Sequence, residues 1–483
     1  MTTTTEQLEQ LTDAAAAAPV WRAAHAAERA AWLRAAADAL DANAEELVVI
    51  ADEESRLGET RLRGEVGRTS GQLRLFAAVI EEGAYLEIIV DDAEPAATPP
   101  RPELRRSLTG VGPVAVSSAS NFPFAFSVAG GDTASALAAG NPVIVKAHSG
   151  HPRLSARTAK IVIEALTAAG GPVGSLALIE VREAGNALVQ HPVIQAAGFT
   201  GSLGGGRALF DLASGRPDPI PFYGELGSIN PVVITQAALD ARADSLAQGL
   251  VASFTLGVGQ FCTKPGVVFI PSGSGFEALV AAGLAEVSGG RLLTDRITES
   301  FPTDVAHLEG EPTTAVVGVG RAAPDGAARS IVLSVDASAV AANPGVLLKE
   351  VFGPATLLVR YEGQDDLLRA LEAVPGSLTA TLHSEHADDA STLDEVLAVL
   401  ERRAGRVLFD GWPTGVAVTW SQHHGGPWPA TTSLHTSVGA TAIRRFLRPI
   451  VFQDAPERLL PAHLRDDALA SLPHRRNGAL QLP

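Results

Sequence analysis

The sequence predicts an α/β fold, and two observations carry that reading. From Val111 onward, short β-rich runs alternate with helical ones, the rhythm of βαβ units wound into a parallel sheet. Ahead of them, the first 90 residues are rich in Ala, Leu, Glu and Arg, strong helix formers, and predict helices around 28–40, 44–55 and 61–82. Trp21, Trp32 and Leu33 are expected to face a core. The stretch 93–102 holds four prolines and excludes a regular helix; it separates two predicted strands near 86–90 and 104–109. Strands at 114–117, 143–146, 176–180 and 195–199 then alternate with helical runs at 129–139, 154–169, 184–190 and 206–213. Sheets of this kind bind nucleotides outside the carboxyl ends of their strands. A second α/β pattern starts near Asn230, with runs at 231–234, 238–254, 267–270 and 276–286, and continues through 356–361, 367–373 and 407–409. A strand near 449–453 precedes a polar tail.

Composition narrows the function. The chain has 483 residues, a length of two or three domains, with 46% hydrophobic residues and a formal net charge of −17. That acidic balance disfavours nucleic acid as a partner, because phosphate binding needs a basic surface. The single cysteine, Cys262, excludes an intramolecular disulfide framework and a thiolate metal cluster. No apolar run reaches the ~18 residues needed to span a bilayer. Residues 1–10 lack the basic and apolar regions of a secretory signal. A cytoplasmic protein is the expectation.

Five places hold residues suited to chemistry, and each also has a plain structural reading. Cys262 sits in Gly257-Val-Gly-Gln-Phe-Cys262-Thr-Lys-Pro-Gly266, a loop and not an apolar run. It is either a small buried hydrophobe or, with Lys264 nearby to lower its pKa, a thiolate nucleophile. Glu225, in Phe222-Tyr-Gly-Glu225-Leu226-Gly-Ser, is a solvated loop acid or a general base whose pKa semi-apolar surroundings raise. Asn121 follows the 114–117 strand and is a turn residue before Phe-Pro or an amide donor to an oxyanion. Gly201-Ser202-Leu-Gly-Gly-Gly206 opens a helical run; it is not GxGxxG, but it sets a Gly-rich turn at a helix N-terminus that favours a phosphate. Lys146 ends a strand in Val-Ile-Val-Lys146-Ala-His148-Ser149, a cation and a hydroxyl suited to a ribose or its phosphate.

Taken together, the order and spacing of Asn121, Lys146, the 201–206 turn, Glu225, Cys262 and Glu350-Val-Phe352-Gly-Pro resemble the aldehyde dehydrogenase superfamily, from the helical N-terminus to about Gln453. The stretches Ala119-Ser-Asn-Phe-Pro-Phe-Ala-Phe-Ser, Val145-Lys-Ala-His-Ser-Gly-His-Pro, Gly259-Gln-Phe-Cys-Thr-Lys-Pro and Gly426-Pro-Trp-Pro resemble one branch in particular. It holds the 2,5-dioxopentanoate (α-ketoglutarate semialdehyde) dehydrogenases and NADP-dependent fatty aldehyde dehydrogenases. The resemblance implies a Rossmann-like cofactor domain (1–85 and 110–227), a catalytic α/β domain (228–426) and a small oligomerisation β-element (86–109 and 440–456). The tail, 457–483, is left packed on a neighbouring subunit or disordered. A homodimer or homotetramer is implied.

The resemblance also implies roles. Cys262 attacks the aldehyde, Asn121 and the Cys262 N–H hold the oxyanion, and Glu225 activates water to hydrolyse the thioester. Lys146, His148 and Ser149 face the adenosine ribose, Gly201, Ser202 and Gly206 the pyrophosphate with Leu226 beside them, and Glu350 and Phe352 the nicotinamide riboside. Many NAD-preferring relatives carry a glutamate where this chain has Ser149, so NADP is the expected cofactor, with NAD tolerated. No metal is expected. Two departures stand out: Ser120 replaces an aromatic residue common before the asparagine, and 431–439 lacks the second acid that helps many relatives order water. Glu225 is therefore expected to act without that helper, and no histidine stands out as a partner base.

The substrate stays open at this point. A dicarboxylic semialdehyde needs a cation, for which Arg157, Arg207 and Lys264 are candidates. Phe122, Phe124, Phe126 and Phe261 instead suit an aliphatic aldehyde or a core. The alternative functions are a cofactor-independent thiol esterase and a non-catalytic nucleotide-binding protein.

Overall fold

The computed structural model describes residues 4–322 and 327–483, so the first three residues of the segment read for a secretory signal lie outside it. The N-terminal stretch forms four helices, Thr4–Ala23, Ala26–Ala42, Ala44–Ser55 and Glu59–Glu82. Their Trp21, Leu33, Leu47, Leu62 and Phe76 side chains are almost wholly buried, each contributing about 2 kcal/mol of burial. Trp21 packs edge-on against Trp32 and donates its Nε1–H to Ser175 Oγ at 2.7 Å, which satisfies the one polar atom it brings inside.

These helices share a core with a five-stranded parallel sheet. Its spatial order is Leu176–Ile179, Val143–Lys146, Val114–Ser117, Ala196–Thr200, Phe222–Glu225. The chain adds two strands on one side of Val114–Ser117, then crosses to the other side for Ala196–Thr200. A crevice opens at such a reversal, outside the carboxyl ends of the two strands that flank it. Asn121 follows the first of those strands and Gly201-Ser202 the second.

A seven-stranded sheet follows in the order Ala315–Val319, Ile331–Asp336, Ala355–Tyr361, Val267–Pro271, Pro231–Ile234, Ser377–His383, Ala404–Phe409. It is parallel except for Ala315–Val319, which pairs antiparallel at the edge. Val and Leu buried on both faces of its central strands match the continuous apolar runs seen in the sequence.

The third sheet takes its strands from far apart in the chain, in the order Leu447–Gln453, Leu104–Gly110, Ile88–Asp91, His474–Arg476, Ala479–Gln481. The two outer strands of the tail thus join the hairpin of 88–110. Leu460, Leu464 and Leu469 of the tail enter the N-terminal core. The fold is α/β, as the alternation predicts. Among the described residues, no helix is long and apolar enough to cross a membrane.

Candidate active site

Phe222–Glu225 is the edge strand of the first sheet, so one row of its backbone groups needs a partner. The segment 424–437 supplies it. Leu226 N–H donates to Ala430 O at 2.8 Å, and Thr432 Oγ1 accepts from Gly224 N–H and donates to Phe222 O. This closure carries His424 and Ser437 onto the Glu225 side chain. Glu225 Oε1 lies 3.0 Å from His424 Nε2, and Ser437 Oγ donates to Oε2 at 2.8 Å. The same His424 Nε2 lies 3.6 Å from Cys262 Sγ. One ring nitrogen therefore faces both the carboxylate and the sulfur. His424 is fixed by its own backbone, which accepts a bond from Ser437 N–H and donates one to Thr436 Oγ1. Its Nδ1 is buried with no hydrogen-bond partner among the described residues.

Two charge expectations are corrected here. Burial alone would raise the Glu225 pKa, but His424 and hydrogen bonds from His424, Ser437 and Cys262 outweigh it and hold the carboxyl below its usual range. Glu225 is thus ionised at neutral pH. The Cys262 thiol moves the opposite way from the lowered pKa read from Lys264. Burial, then the Glu225 charge and hydrogen bond, push it well above an ordinary thiol. Lys264 is occupied elsewhere, its Nζ donating to Val351 O and Ala355 O from a buried position.

Asn230, which the sequence marked only as the start of the second α/β pattern, anchors the cysteine loop. It sits at φ +52° with its side chain buried. Its Nδ2 donates to Cys262 O at 2.8 Å and to Lys264 O at 2.9 Å, while Oδ1 accepts from Ser228 Oγ and Thr379. Asn121 lies on the other side of the loop and gives one amide hydrogen to Gln260 O at 3.0 Å. The second amide hydrogen is left for another acceptor.

The residues expected to face the cofactor sit on several elements. Ser202 caps the helix Leu203–Ser214, accepting from Gly205 N–H. A Cβ on Gly206 would lie 2.0 Å from Leu226 Cδ2, so only glycine lets that helix pack against the Glu225 strand end. Lys146 ends its strand beside the exposed Ser149. His148 stacks on His151, and its Nδ1 accepts from Gly150 N–H. Burial, His151 and nearby cations bring the His148 pKa down to about 3, so it is neutral. Glu350 sits against Gly227, whose Cβ would approach its Oε2 to 2.8 Å. Burial lifts Glu350 to about 7 despite Lys264 and a bond from the Ser228 N–H. Phe352 is half-buried two residues on.

Three cations proposed for a substrate carboxylate are elsewhere. Arg157 pairs with Glu46 on the surface, Arg207 pairs with Asp211, and Lys264 holds the 351–355 backbone. Phe124 belongs to the N-terminal core, whereas Phe122, Phe126 and Phe261 cluster by the cysteine loop. No metal site was expected, yet Glu225, Cys262 and His424 bring one ligand atom each within 4.8 Å of one another. Sulfur, imidazole and carboxylate are the donor types that zinc takes.

Known proteins resemble this chain in sequence and in fold. The profile of the aldehyde dehydrogenase family matches residues 1–293. The chain belongs to that family. It is 49% identical over 466 residues to alpha-ketoglutaric semialdehyde dehydrogenase 2 of Azospirillum brasilense, covering 95% of this chain and 88% of that one. It is 43% identical to alpha-ketoglutaric semialdehyde dehydrogenase of Acinetobacter baylyi over 89% of this chain and 83% of that one. Among solved structures, aldehyde dehydrogenase 21 from Physcomitrella patens, in complex with the reaction product succinate, superposes with TM-score 0.77. That match has 21% identity and covers 93% of this chain and 90% of that one, a likeness of fold.

Proposed function

We propose that this chain oxidises 2,5-dioxopentanoate to 2-oxoglutarate with NADP, through a thioester on Cys262. The contact of His424 Nε2 with both Cys262 Sγ and Glu225 Oε1 carries the chemical part of the reading. The two semialdehyde dehydrogenase relatives support the substrate.

The resting thiol holds its proton, so it needs a local base. Glu225, which already accepts the hydrogen bond of the thiol, takes that proton and passes it to solvent while the His424 Nε2–H stays on its Oε1, and the freed thiolate adds to the aldehyde carbon. The oxyanion that forms accepts the spare hydrogen of the Asn121 amide. The nicotinamide cofactor, when bound, supplies the hydride acceptor that turns the adduct into a thioester. Glu225, kept ionised by Ser437 and His424, then draws a proton from the water that hydrolyses it. Ser437 and His424 stand in for the acid missing from 431–439. The site suits the cofactor. Lys146 and Ser149 would meet the adenosine ribose, Ser202 and the Gly206 turn the pyrophosphate, and Glu350 the second ribose. Ser149 supports NADP, because a neutral hydroxyl accommodates a 2′-phosphate that a carboxylate would repel. The exposed strand Leu447–Gln453 supports pairing between subunits through the third sheet.

Reduced-cofactor absorbance at 340 nm tests the reading. Wild type is expected to reduce NADP with 2,5-dioxopentanoate at a higher kcat/KM than with hexanal or with NAD, and Cys262→Ala to be inactive. A tenfold preference for hexanal overturns the substrate, and a clear preference for NAD overturns the cofactor.

A further inference from the structure

The helix Glu59–Glu82 carries two buried faces of different character. Leu62, Val66, Leu73 and Phe76 enter the core. Arg61, Glu65, Arg68 and Gln72, spaced four, three and four apart, form a polar stripe. The stripe points at the active site. Glu65 Oε1 accepts the Phe124 and Ala125 N–H groups, and Arg61 donates to Asn121 O at 2.6 Å, so both fix the loop that presents Asn121. Arg61 also lies over the Phe122 and Phe261 rings at 5.0 and 4.8 Å. These two residues have structural duties. Arg68 has none of this kind.

The Arg68 guanidinium lies 5.3 Å over the Phe126 ring, and Phe126 is 6.2 Å from the His424 ring, which touches Cys262. Its Nη1 is buried and has no hydrogen-bond partner among the described residues. Glu65, the acid one turn away, makes no ion pair with it there, having turned Oε1 to the 124–125 backbone. A buried guanidinium N–H without an acceptor is costly, and a carboxylate is the group whose geometry it fits best. Burial weakens the hold of Arg68 on its proton, while the charges of Glu65, Cys262 and Glu225 strengthen it. Its field thus reaches the reacting sulfur.

We propose that Arg68 is the anchor for the distal carboxylate of an aldehyde acid whose aldehyde end meets Cys262. The proposal rests on the semialdehyde reading above and names the residue that would select such a substrate over a neutral aldehyde. In 2,5-dioxopentanoate the carboxylate carbon is four bonds from the aldehyde carbon, and the proposal requires that reach from the sulfur to the guanidinium past the Phe126 ring. Phe126 then gives the methylenes an apolar wall, and the orphaned Nη1–H gains an ionised acceptor. A second guanidinium competes for this assignment. Arg406 also has buried Nε and Nη2 atoms without a partner among the described residues and also feels Cys262. Unlike Arg68, it has no aromatic contact among the described residues that connects it to the site.

Full-length Arg68→Gln, Arg68→Lys and Arg406→Gln enzymes test this. Each is assayed with 2,5-dioxopentanoate and with hexanal, and glutarate is tested as a competitive inhibitor of hexanal oxidation. A thermal melt identifies any variant that fails to fold, and the Lys variant keeps the charge in place. For Arg68→Gln, the 2,5-dioxopentanoate/hexanal ratio of kcat/KM is expected to fall at least tenfold, mostly through KM. The Ki of glutarate is expected to rise by a similar factor, with Arg68→Lys between the two. A ratio and a glutarate Ki that stay within twofold of wild type overturn the proposal, as does a loss confined to Arg406→Gln. If wild type prefers hexanal but glutarate inhibition still weakens in Arg68→Gln, the substrate reading fails and the carboxylate anchor stands. If wild type prefers 2,5-dioxopentanoate and Arg68→Gln changes neither quantity, the anchor fails and the substrate reading stands.

Discussion

At the scale of single residues, the site sets one charge against another. Glu225 raises the Cys262 pKa, and in the proposed reaction it also activates the water that hydrolyses the thioester. Glu225→Gln should therefore act in two directions. Alkylation by iodoacetamide consumes thiolate, so neutralising Glu225 should speed labelling of the free enzyme at pH 8, by about tenfold for each pKa unit relieved. Steady-state turnover should nearly vanish, because the thioester is no longer hydrolysed. In wild type the labelling rate should still be climbing at pH 9, since a raised thiol pKa moves the thiolate to higher pH. Labelling that slows in Glu225→Gln would show that the carboxylate favours the thiolate, the reverse of the charge argument. The order and spacing of Cys262, Glu225 and Asn121 singled them out in the sequence, and the fold brings Glu225 to the Cys262 sulfur. His424 was not legible there. It lies 162 residues from Cys262 and 199 from Glu225 and sits beside a second histidine in a loop, so only the folded chain reveals which of the two faces the sulfur.

At the scale of elements, the site depends on short segments that cross from one sheet to another. Asn230 is the clearest case. It leaves the cofactor-side strand end, opens the strand Pro231–Ile234, and holds the Cys262 and Lys264 carbonyls while accepting from Thr379 on a neighbouring strand. Asn230→Ala would leave two carbonyls without their donor, at roughly 1–3 kcal/mol each, and place alanine at a positive φ for a further ~1 kcal/mol. The thermal midpoint should fall by several degrees and kcat should drop more than KM rises, because the sulfur loses its position. An unchanged midpoint would show that the loop holds itself. In the sequence, Asn230 only marks where the second α/β pattern starts, and nothing local shows that it bonds to a loop 32 residues away. The polar stripe of 61–72 was closer to legible. Charged residues at helical spacing normally mark a solvated face. Here a second polar face, at Arg63, Arg74 and Glu81, already meets solvent and carries surface ion pairs. A helix polar on two sides signals that one of them is buried for a purpose.

For the whole molecule, the alternation of strands and helices was enough to predict two α/β units, because βαβ units are local in sequence, but Ala315–Val319, Ile331–Asp336 and Ser377–His383 of the seven-stranded sheet were not read in it. The third sheet was only half legible, because its parallel partner for Ile88–Asp91 comes from the far end of the chain. The tail residues His474 to Gln481 are short, polar and rich in arginine, a poor match to any strand pattern. Their strand order comes from what they pair with. His474–Arg476 lines up in register with Ile88–Val90, Arg476 pairs with Asp92 at 2.7 Å, and Asn477 donates to the same carboxylate. Leu464 and Leu469 fill the core just before, and Arg105 donates to Leu464 O from a buried position. A chain ending at residue 473 keeps those leucines but loses the two tail strands. It should expose the Ile88–Asp91 edge, an unpaired strand that invites self-association. The expected result is a lower thermal midpoint and concentration-dependent aggregation on light scattering. The soluble fraction should retain kcat, because Cys262, Glu225 and His424 lie in the other parts of the fold. A truncated enzyme as stable and as monodisperse as the full chain would show that the tail strands only rest on the sheet they join.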